Sequence, residues 1–291
     1  MGKYYILYNP LAGNNTGKES ANALDGIFKG EELVYTDIVE VSRDYKAFFA
    51  GISCDDKVVL CGGDGTINRF VNDTSDITLN NEILYYACGS GNDFLHDVGG
   101  EVGSKPFVIN QYITDLPVVE VKGKAYRFIN GIGYGIDGYC CEVGDKLRQT
   151  SDKPINYAGI AIKGLLFHYK PTNAVITVDG VKHEYKKVWL APTMNGRFYG
   201  GGMMPTPDQA RLDPENKLSV LVWHGSGKIS TLAAFPGIFK GEHLKHSKMC
   251  EVLTGKNISV EFDRPVAAQI DGETILDVTS YTAKAFANAV L

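Results

Sequence analysis

Short apolar runs broken by glycine fill the first third of the chain. Residues 4–9 read as a strand, 16–28 as a helix ending near Gly30, 32–41 as a second strand and 44–50 as a short helix. Val58-Val59-Leu60-Cys61 is apolar at consecutive positions, the mark of a strand buried on both faces. It stops at Gly62-Gly63-Asp64-Gly65-Thr66, after which Ile67, Phe70 and Val71 follow at helical spacing, so a helix is expected over 66–73. A further run, 83–88, closes on Gly89-Ser90-Gly91-Asn92-Asp93. Strand, glycine turn and helix in repetition predict a parallel sheet with helices on both faces, binding ligands at the carboxyl ends of its strands. From about residue 117 the runs shorten, to 118–121, 126–130, 175–178, 187–191 and 218–223. Turn signals at Asp179-Gly180, Asn195-Gly196 and Gly225-Ser226-Gly227 separate them, which predicts an antiparallel sandwich or barrel interrupted by helices near 156–169 and 229–240. The expected class is α/β plus β, with one domain over 1–120, which residues 284–291 are candidates to rejoin, and a second over 121–283.

Composition changes this picture little. At 291 residues two domains are the better expectation, and 44% hydrophobic with 22% charged residues describes an ordinary globular protein. A net charge of −5 and a pI near 5.7 argue against a dedicated nucleic-acid binder and leave room for a local basic patch facing a membrane. The chain enters a strand-like run at once, with no secretory signal core expected, and no apolar run approaches a membrane span. Ile6 stands where an N-myristoylation signal wants Ser or Thr. Six cysteines without C-x-x-C spacing suggest reduced, packed thiols in a cytoplasm. The histidines form no zinc-like set, and His243 and His246 are expected to face solvent.

Glycines at a strand-to-helix turn let a backbone approach a bulky anion, and the helix start offers free N–H groups. An acid there repels phosphate unless a cation employs it, so Asp64 points to phosphoryl chemistry with a divalent metal; the alternative is an ordinary Gly-Asp-Gly turn. The turn Asn9-Pro10-Leu11-Ala12-Gly13 lacks Walker spacing up to Lys18, yet its amides with Lys18 suit nucleotide phosphates, Asn9 fixing the turn; the plainer reading of Lys18 is a solvated lysine. Thr66 and Ser90 are placed to cap helices or to bond phosphate oxygens, and Asp93 to cap a helix beginning near Phe94. Asn68 suits either the opposing loop or the nucleotide. Asp271-Gly272 alone reads as a hairpin turn.

Taken in order, the clusters at Asn9–Lys18, Gly62–Asn68, Gly89–Asp93 and Gln269–Glu273, with Gly200-Gly201-Gly202-Met203-Met204-Pro205 and Ala210 to Asp213, resemble the diacylglycerol kinase catalytic family. These are soluble bacterial lipid kinases related to sphingosine and ceramide kinases, whose first domain is Rossmann-like and similar to NAD kinase and phosphofructokinase. The resemblance implies an ATP-binding first domain, a lipid-binding second domain, and ATP and Mg2+ as cofactors. It implies that Asn9, Pro10, Leu11, Ala12, Gly13, Gly63, Gly65, Thr66, Ile67, Asn68 and Ser90 contact ATP, with Lys18, Gly62, Asn92 and Glu273 as further nucleotide-binding candidates. Asp271 becomes the proton acceptor, with Asp64 and Asp93 organising magnesium and water. Arg69 departs from the family, which usually has an acid there.

A structural metal loop is implied at Arg211, Asp213, Asn216 and Leu218, though Pro214 and Glu215 lengthen it. The apolar stretch 157–167 suits a core helix or the wall of an acyl cleft. Phe235 to Lys240, followed by His243, Lys245, His246 and Lys248, suits a solvated loop or an anionic membrane surface. The implied protein is cytoplasmic and peripheral to the inner membrane face. It acts on a lipid, foremost diacylglycerol, with phosphatidylglycerol and sphingoid lipids as other acceptors and no nucleic-acid partner. An NAD kinase explains only the Gly62–Thr66 cluster, and a nucleotide-sensing module is opposed by the intact Asp64, Asp93 and Asp271.

Overall fold

The computed structural model describes residues 2–89, 91–150 and 155–286, and the chain divides into two compact units after Asp115. In the first unit, β1 (Tyr4–Tyr8), β2 (Leu33–Asp37), β3 (Lys57–Gly62) and β4 (Glu82–Ala87) are parallel, and β5 (Phe107–Val108) runs antiparallel to β4. Their order is β2-β1-β3-β4-β5. Ile6 and Leu7 are consecutive and both fully buried, as are Val58, Val59, Leu60 and Cys61, so both faces of the sheet are covered. The chain leaves β1 toward β2 and then crosses to β3 on the other side of β1. The topological switch therefore lies between the ends of β1 and β3, where two glycine-rich turns begin.

Three elements of this unit differ from those the sequence pattern predicts. The helix expected over 16–28 is three short pieces, Ala12–Asn15, Gly17–Asn22 and Leu24–Ile27. A Cβ on Gly17 would stand 1.9 Å from the Asn9 carbonyl oxygen, so the segment is pressed onto the end of β1 rather than laid along a free axis. The second strand ends at Asp37 rather than Val41, because the Asp37 carboxylate accepts the Val39 amide at 2.8 Å and starts the helical turn Ile38–Val41. The helix expected from Thr66 begins at Asp64, with Gly63 before it.

The second unit holds one connected antiparallel sheet that folds over into a β-sandwich. Its strands are β6 (Val118–Val121), β7 (Lys124–Arg127), β8 (Gly131–Tyr134), β9 (Thr172–Val178), β10 (Val181–Val188), β11 (Thr193–Met194), β12 (Leu218–Trp223), β13 (Cys250–Gly255), β14 (Asn257–Ile270) and β15 (Glu273–Lys284). The path runs β13-β12-β11-β8-β14-β15-β6-β7, with β9 joining β14 to β10. β14 pairs with β9 through Ile258–Phe262 and with β8 through Ala268–Ile270, its register shifting between Glu261 and Val266. One bent strand thus serves both layers. Between them lie Phe128, Ile132, Trp189, Trp223, Val260 and Val278, each at most 1% exposed. The Tyr134 and Phe262 rings stack at 3.9 Å.

β6 pairs with β15, Val118 opposite Lys284, which moves residues 116–120 and 284–286 into this unit; 287–291 lie outside the described residues. The helix Ile136–Arg148 was not foreseen. Gly138 lets it lie directly on β14, since a Cβ there would meet the Ala267 carbonyl oxygen at 1.9 Å. The expected helical inserts are Tyr157–Lys163 continued by a π turn, Gly164–His168, and Lys228–Ala234 continued by a 3-10 turn, Phe235–Lys240. His243 is fully buried rather than solvent-facing: its Nε2 lies 2.9 Å from the Pro205 carbonyl and its ring stacks on Trp223, while His246 is exposed.

Candidate active site

Each unit gathers its own share of the candidate residues. In the first, Asn9 Oδ1 accepts the Leu11 amide at 3.0 Å, which closes the first turn, and Asn9 Nδ2 donates to Thr66 Oγ1 at 3.0 Å. Thr66 sits inside its helix and binds the neighbouring turn instead of capping. The Asn9 amide also donates to the Cys61 carbonyl at 3.1 Å, so the two turns meet at the switch point. Gly13 adopts φ +58, a left-handed conformation that favours glycine. Lys18 is exposed and its Nζ lies 5.9 Å over the Tyr8 ring.

Asp64 is buried, and its Oδ2 and Oδ1 accept the amides of Asp93 and Phe94 at 2.8 and 2.9 Å. The start of the helix Asp93–Asp97 is therefore capped by an acid 29 residues earlier in the chain, not by Asp93. The two glycine turns touch backbone to backbone. Asp64 donates its amide to the Gly91 carbonyl at 3.2 Å, and Cys88 and Gly89 donate theirs to the Gly62 carbonyl. A Cβ on Gly89 would stand 2.5 Å from Gly63 Cα, whereas one on Gly65 would meet nothing within 4 Å. The Tyr85 phenol, fully buried beneath, donates to the Gly62 carbonyl at 3.1 Å, and burial first and then Asp64 keeps it protonated. Asn92 Nδ2 donates to the Gly89 carbonyl, and Asn92 Oδ1 is buried without a hydrogen-bond partner among the described residues. Asn68 is buried and Ile67 is core, while Arg69 is exposed one turn before Asp73, whose burial-raised pKa it opposes. Ser90 lies outside the described residues.

In the second unit the turn between β14 and β15 is Asp271-Gly272, with φ +47 and +95, a type I′ hairpin. The Asp271 carboxylate accepts three successive amides, Ile129 at 2.5 Å, Asn130 at 2.8 Å and Gly131 at 2.9 Å. Gln269 Oε1 holds the Gly272 amide at 2.6 Å. Arg211 reaches the same segment from another side, donating to the Ile129 carbonyl and to Asn130 Oδ1, and Asn195 Nδ2 donates to the Ile129 carbonyl at 2.9 Å. Arg211 is thus an anchor of the segment that Asp271 holds. The rest of the expected metal loop closes on itself. Asp213 takes the amides of Glu215 and Lys217 at 3.2 and 2.9 Å, Asn216 adopts φ +53 and donates its side chain to the Phe286 carbonyl, and Leu218 begins β12. Among the described residues no group of three or more His, Cys, Asp or Glu is placed to hold a metal. Glu273 is exposed at the start of β15.

Reading the sequence missed Tyr85, Asn195 and the buried acid Asp137, whose importance rests on partners distant in the chain. Asp137 Oδ1 accepts the Gly138 amide at 2.9 Å and Oδ2 the Tyr199 hydroxyl at 3.1 Å. Burial pushes its pKa up to about 6 against these bonds. An unfolded aspartate titrates near 3.9, so between these values the native state keeps a proton the unfolded chain has lost, and stability falls as pH rises through that window. Asp137→Asn removes this dependence. In urea unfolding, the variant gains roughly 2–3 kcal/mol on the parent between pH 4 and pH 7; an unchanged difference across that range refutes it.

A parallel-sheet α/β unit with glycine turns at its switch point is followed in the chain by an antiparallel β-sandwich-like unit. Residues 3–116 match the diacylglycerol kinase catalytic domain, and residues 130–288 match the YegS C-terminal NAD kinase beta sandwich-like domain. The chain belongs to the diacylglycerol kinase catalytic family and is a lipid kinase enzyme. It is 23% identical over 287 residues to a diacylglycerol kinase of Mycobacterium tuberculosis (strain ATCC 25618 / H37Rv), covering 94% of this chain and 89% of that one. A crystal structure of a diacylglycerol kinase from Bacillus anthracis str. Sterne shares the fold, with TM-score 0.64 and 20% identity over 98% of this chain and 94% of that one. No helix of the described residues is long and apolar enough to cross a membrane.

Proposed function

We propose that this lipid kinase transfers the γ-phosphate of ATP, with Mg2+, to the hydroxyl of a diacylglycerol, giving phosphatidic acid at the cytoplasmic membrane face. The observation that carries the reading is the Asn9–Thr66 bond at the switch between β1 and β3, beside the helix start that Asp64 caps. Amides of the first turn and of the Asp64–Asp73 helix start would hold the phosphates, and the open space at Gly65 leaves room for them. The buried Asn92 Oδ1, without a partner among the described residues, and the carboxylates of Asp64 and Asp93 fit a hydrated cation, since magnesium keeps waters and takes one or two carboxylates beside substrate phosphates. When bound, that ion neutralises charge developing on the transferred group. Asp271 takes the proton of the lipid hydroxyl, as the family resemblance implies. Its three amide bonds hold the carboxylate in one orientation for that task.

Transfer of labelled phosphate from ATP to diacylglycerol, phosphatidylglycerol and a sphingoid base in mixed micelles, and to NAD in solution, tests the reading. Phosphatidic acid as the dominant, magnesium-dependent product supports it. Preference for another lipid corrects the acceptor, and phosphorylation of NAD alone overturns the proposal.

A further inference from the structure

The helix Ile136–Arg148 directs two of its carboxylates at one hairpin, β14–β15. Asp137, near its start, is buried, and Asp145, near its end, is half-buried. Asp145 Oδ2 accepts the Thr274 hydroxyl at 2.6 Å. Thr274 on β15 stands directly opposite Gln269 on β14, and Gln269 stands opposite Gly133 on β8. A Cβ on Gly133 would lie 2.2 Å from Asp137 Oδ2 and 2.5 Å from Gln269 Nε2, so acid and amide converge on the space that this glycine leaves. One cross-strand pair is thus faced by both acids of the helix, one acid to each strand. Between Gln269 and Thr274 lie only Ile270, Asp271, Gly272 and Glu273, the turn itself and its flanks.

The Gln269 side chain, 4% exposed, has one way round that satisfies its neighbours. Its Oε1 accepts the Gly272 amide at 2.6 Å, which leaves Nε2 on the side of Asp137. The two ends of a side-chain amide are close in size, so their surroundings decide which faces which. An ionised carboxylate only accepts and therefore draws the NH2 end; reversed, the amide would set NH2 against the Gly272 N–H and oxygen against oxygen. Asp137 is fixed in its turn, by the Gly138 amide on Oδ1 at 2.9 Å and the Tyr199 hydroxyl on Oδ2 at 3.1 Å. The turn so held has both Asp271 and Gly272 in left-handed backbone, with the Asp271 carboxylate engaged by the amides of residues 129–131.

We propose that Gln269 and Thr274 are positioning residues for Asp271: braced by Asp137 and Asp145, they hold the turn so that its carboxylate keeps one direction during phosphate transfer. Their role rests on the reading of Asp271 as proton acceptor, and amide exchange tests it independently of that reading. Gln269→Met keeps the length of the side chain and removes both ends of the amide. Thr274→Val keeps the shape and removes the hydroxyl, and Thr274→Ser retains it. Steady-state transfer of phosphate to lipid, per folded molecule, is measured beside hydrogen exchange of the backbone amides by NMR. In Gln269→Met kcat falls about 10- to 100-fold, the scale of a small misplacement of a reacting group. In Thr274→Val it falls about threefold or more, and Thr274→Ser stays near native. KM for ATP and for the lipid stays within about twofold of native throughout. Added to Asp271→Asn, Gln269→Met costs no further activity, because the two act as one unit. The amides of Gly272 and residues 129–131 exchange at least ~10-fold faster in Gln269→Met and Thr274→Val. Thr274 is only half-buried, so its variants carry the test if Gln269→Met does not fold.

A raised KM for the lipid at unchanged kcat overturns the brace, the side chains then contacting substrate. Losses that multiply when Gln269→Met is added to Asp271→Asn overturn it too, as does unchanged exchange at Gly272 and residues 129–131. Full turnover by Asp271→Asn overturns the reading of Asp271 instead; faster exchange then still upholds the brace on the turn, and unchanged exchange removes it.

Discussion

Asp271→Asn lowers phosphate transfer to a lipid hydroxyl at least ~100-fold, the low end of what a positioned proton acceptor contributes. Asparagine is the informative replacement because it tolerates the left-handed conformation at φ +47, which alanine occupies only with strain. Its Oδ1 can still accept the amides of Asn130 and Gly131, but its NH2 then faces the Ile129 amide, donor against donor. A stability loss of about 1–3 kcal/mol accompanies the change. Activity per folded molecule therefore has to be measured beside urea unfolding. If stability falls while turnover per folded molecule persists, Asp271 is only the clamp of residues 129–131, and the proton acceptor lies elsewhere.

Gly89→Ala is expected to damage the two glycine turns as a unit. The new Cβ would press on Gly63 Cα at 2.5 Å and Gly63 N at 2.7 Å, both backbone atoms with no rotamer to yield. Overpacking of this kind costs about 3 kcal/mol and pushes apart the two turns that share the Gly62 and Gly91 carbonyls. ATP affinity and melting temperature fall together. Gly65→Ala separates the two effects, because its Cβ meets nothing and alanine favours a helix by up to ~1 kcal/mol. That variant melts no lower than the parent but binds ATP more weakly, by calorimetry. Undiminished ATP affinity in Gly65→Ala would remove the phosphates from this helix start.

How far the sequence revealed this architecture depended on how local each cause was. The buried strand β3 and the glycine turn after it are legible because consecutive apolar residues and Gly-Asp-Gly act within ten positions. The Asp271-Gly272 turn is legible for the same reason. What those acids do is not, because their partners are remote: Asp64 caps a helix 29 and 30 residues away, and Asp271 holds amides 140 to 142 residues away. The helix Ile136–Arg148 escaped notice because Gly138 and Gly144, poor helix formers, are there for close contact, Gly138 with the β14 backbone and Gly144 with the Tyr157 ring. His243 reads as part of a basic loop, yet the 3-10 turn Glu242–Lys245 rolls it inward onto Trp223 while Lys245 stays exposed.

The clamp between Asp271 and residues 129–131 also sets an order of events during synthesis. The first unit builds its sheet from strands that follow one another closely, so its pairings can form as soon as about a hundred residues have emerged. β8 must wait for β14, and β6 for β15, strands that follow them only much later in the sequence. Until β14 and β15 have emerged, β6 and β8 each carry an unpaired edge of the kind that invites wrong partners. In a nascent chain the parallel sheet therefore closes first, and the β14–β15 hairpin later completes both the sandwich and the acid it presents.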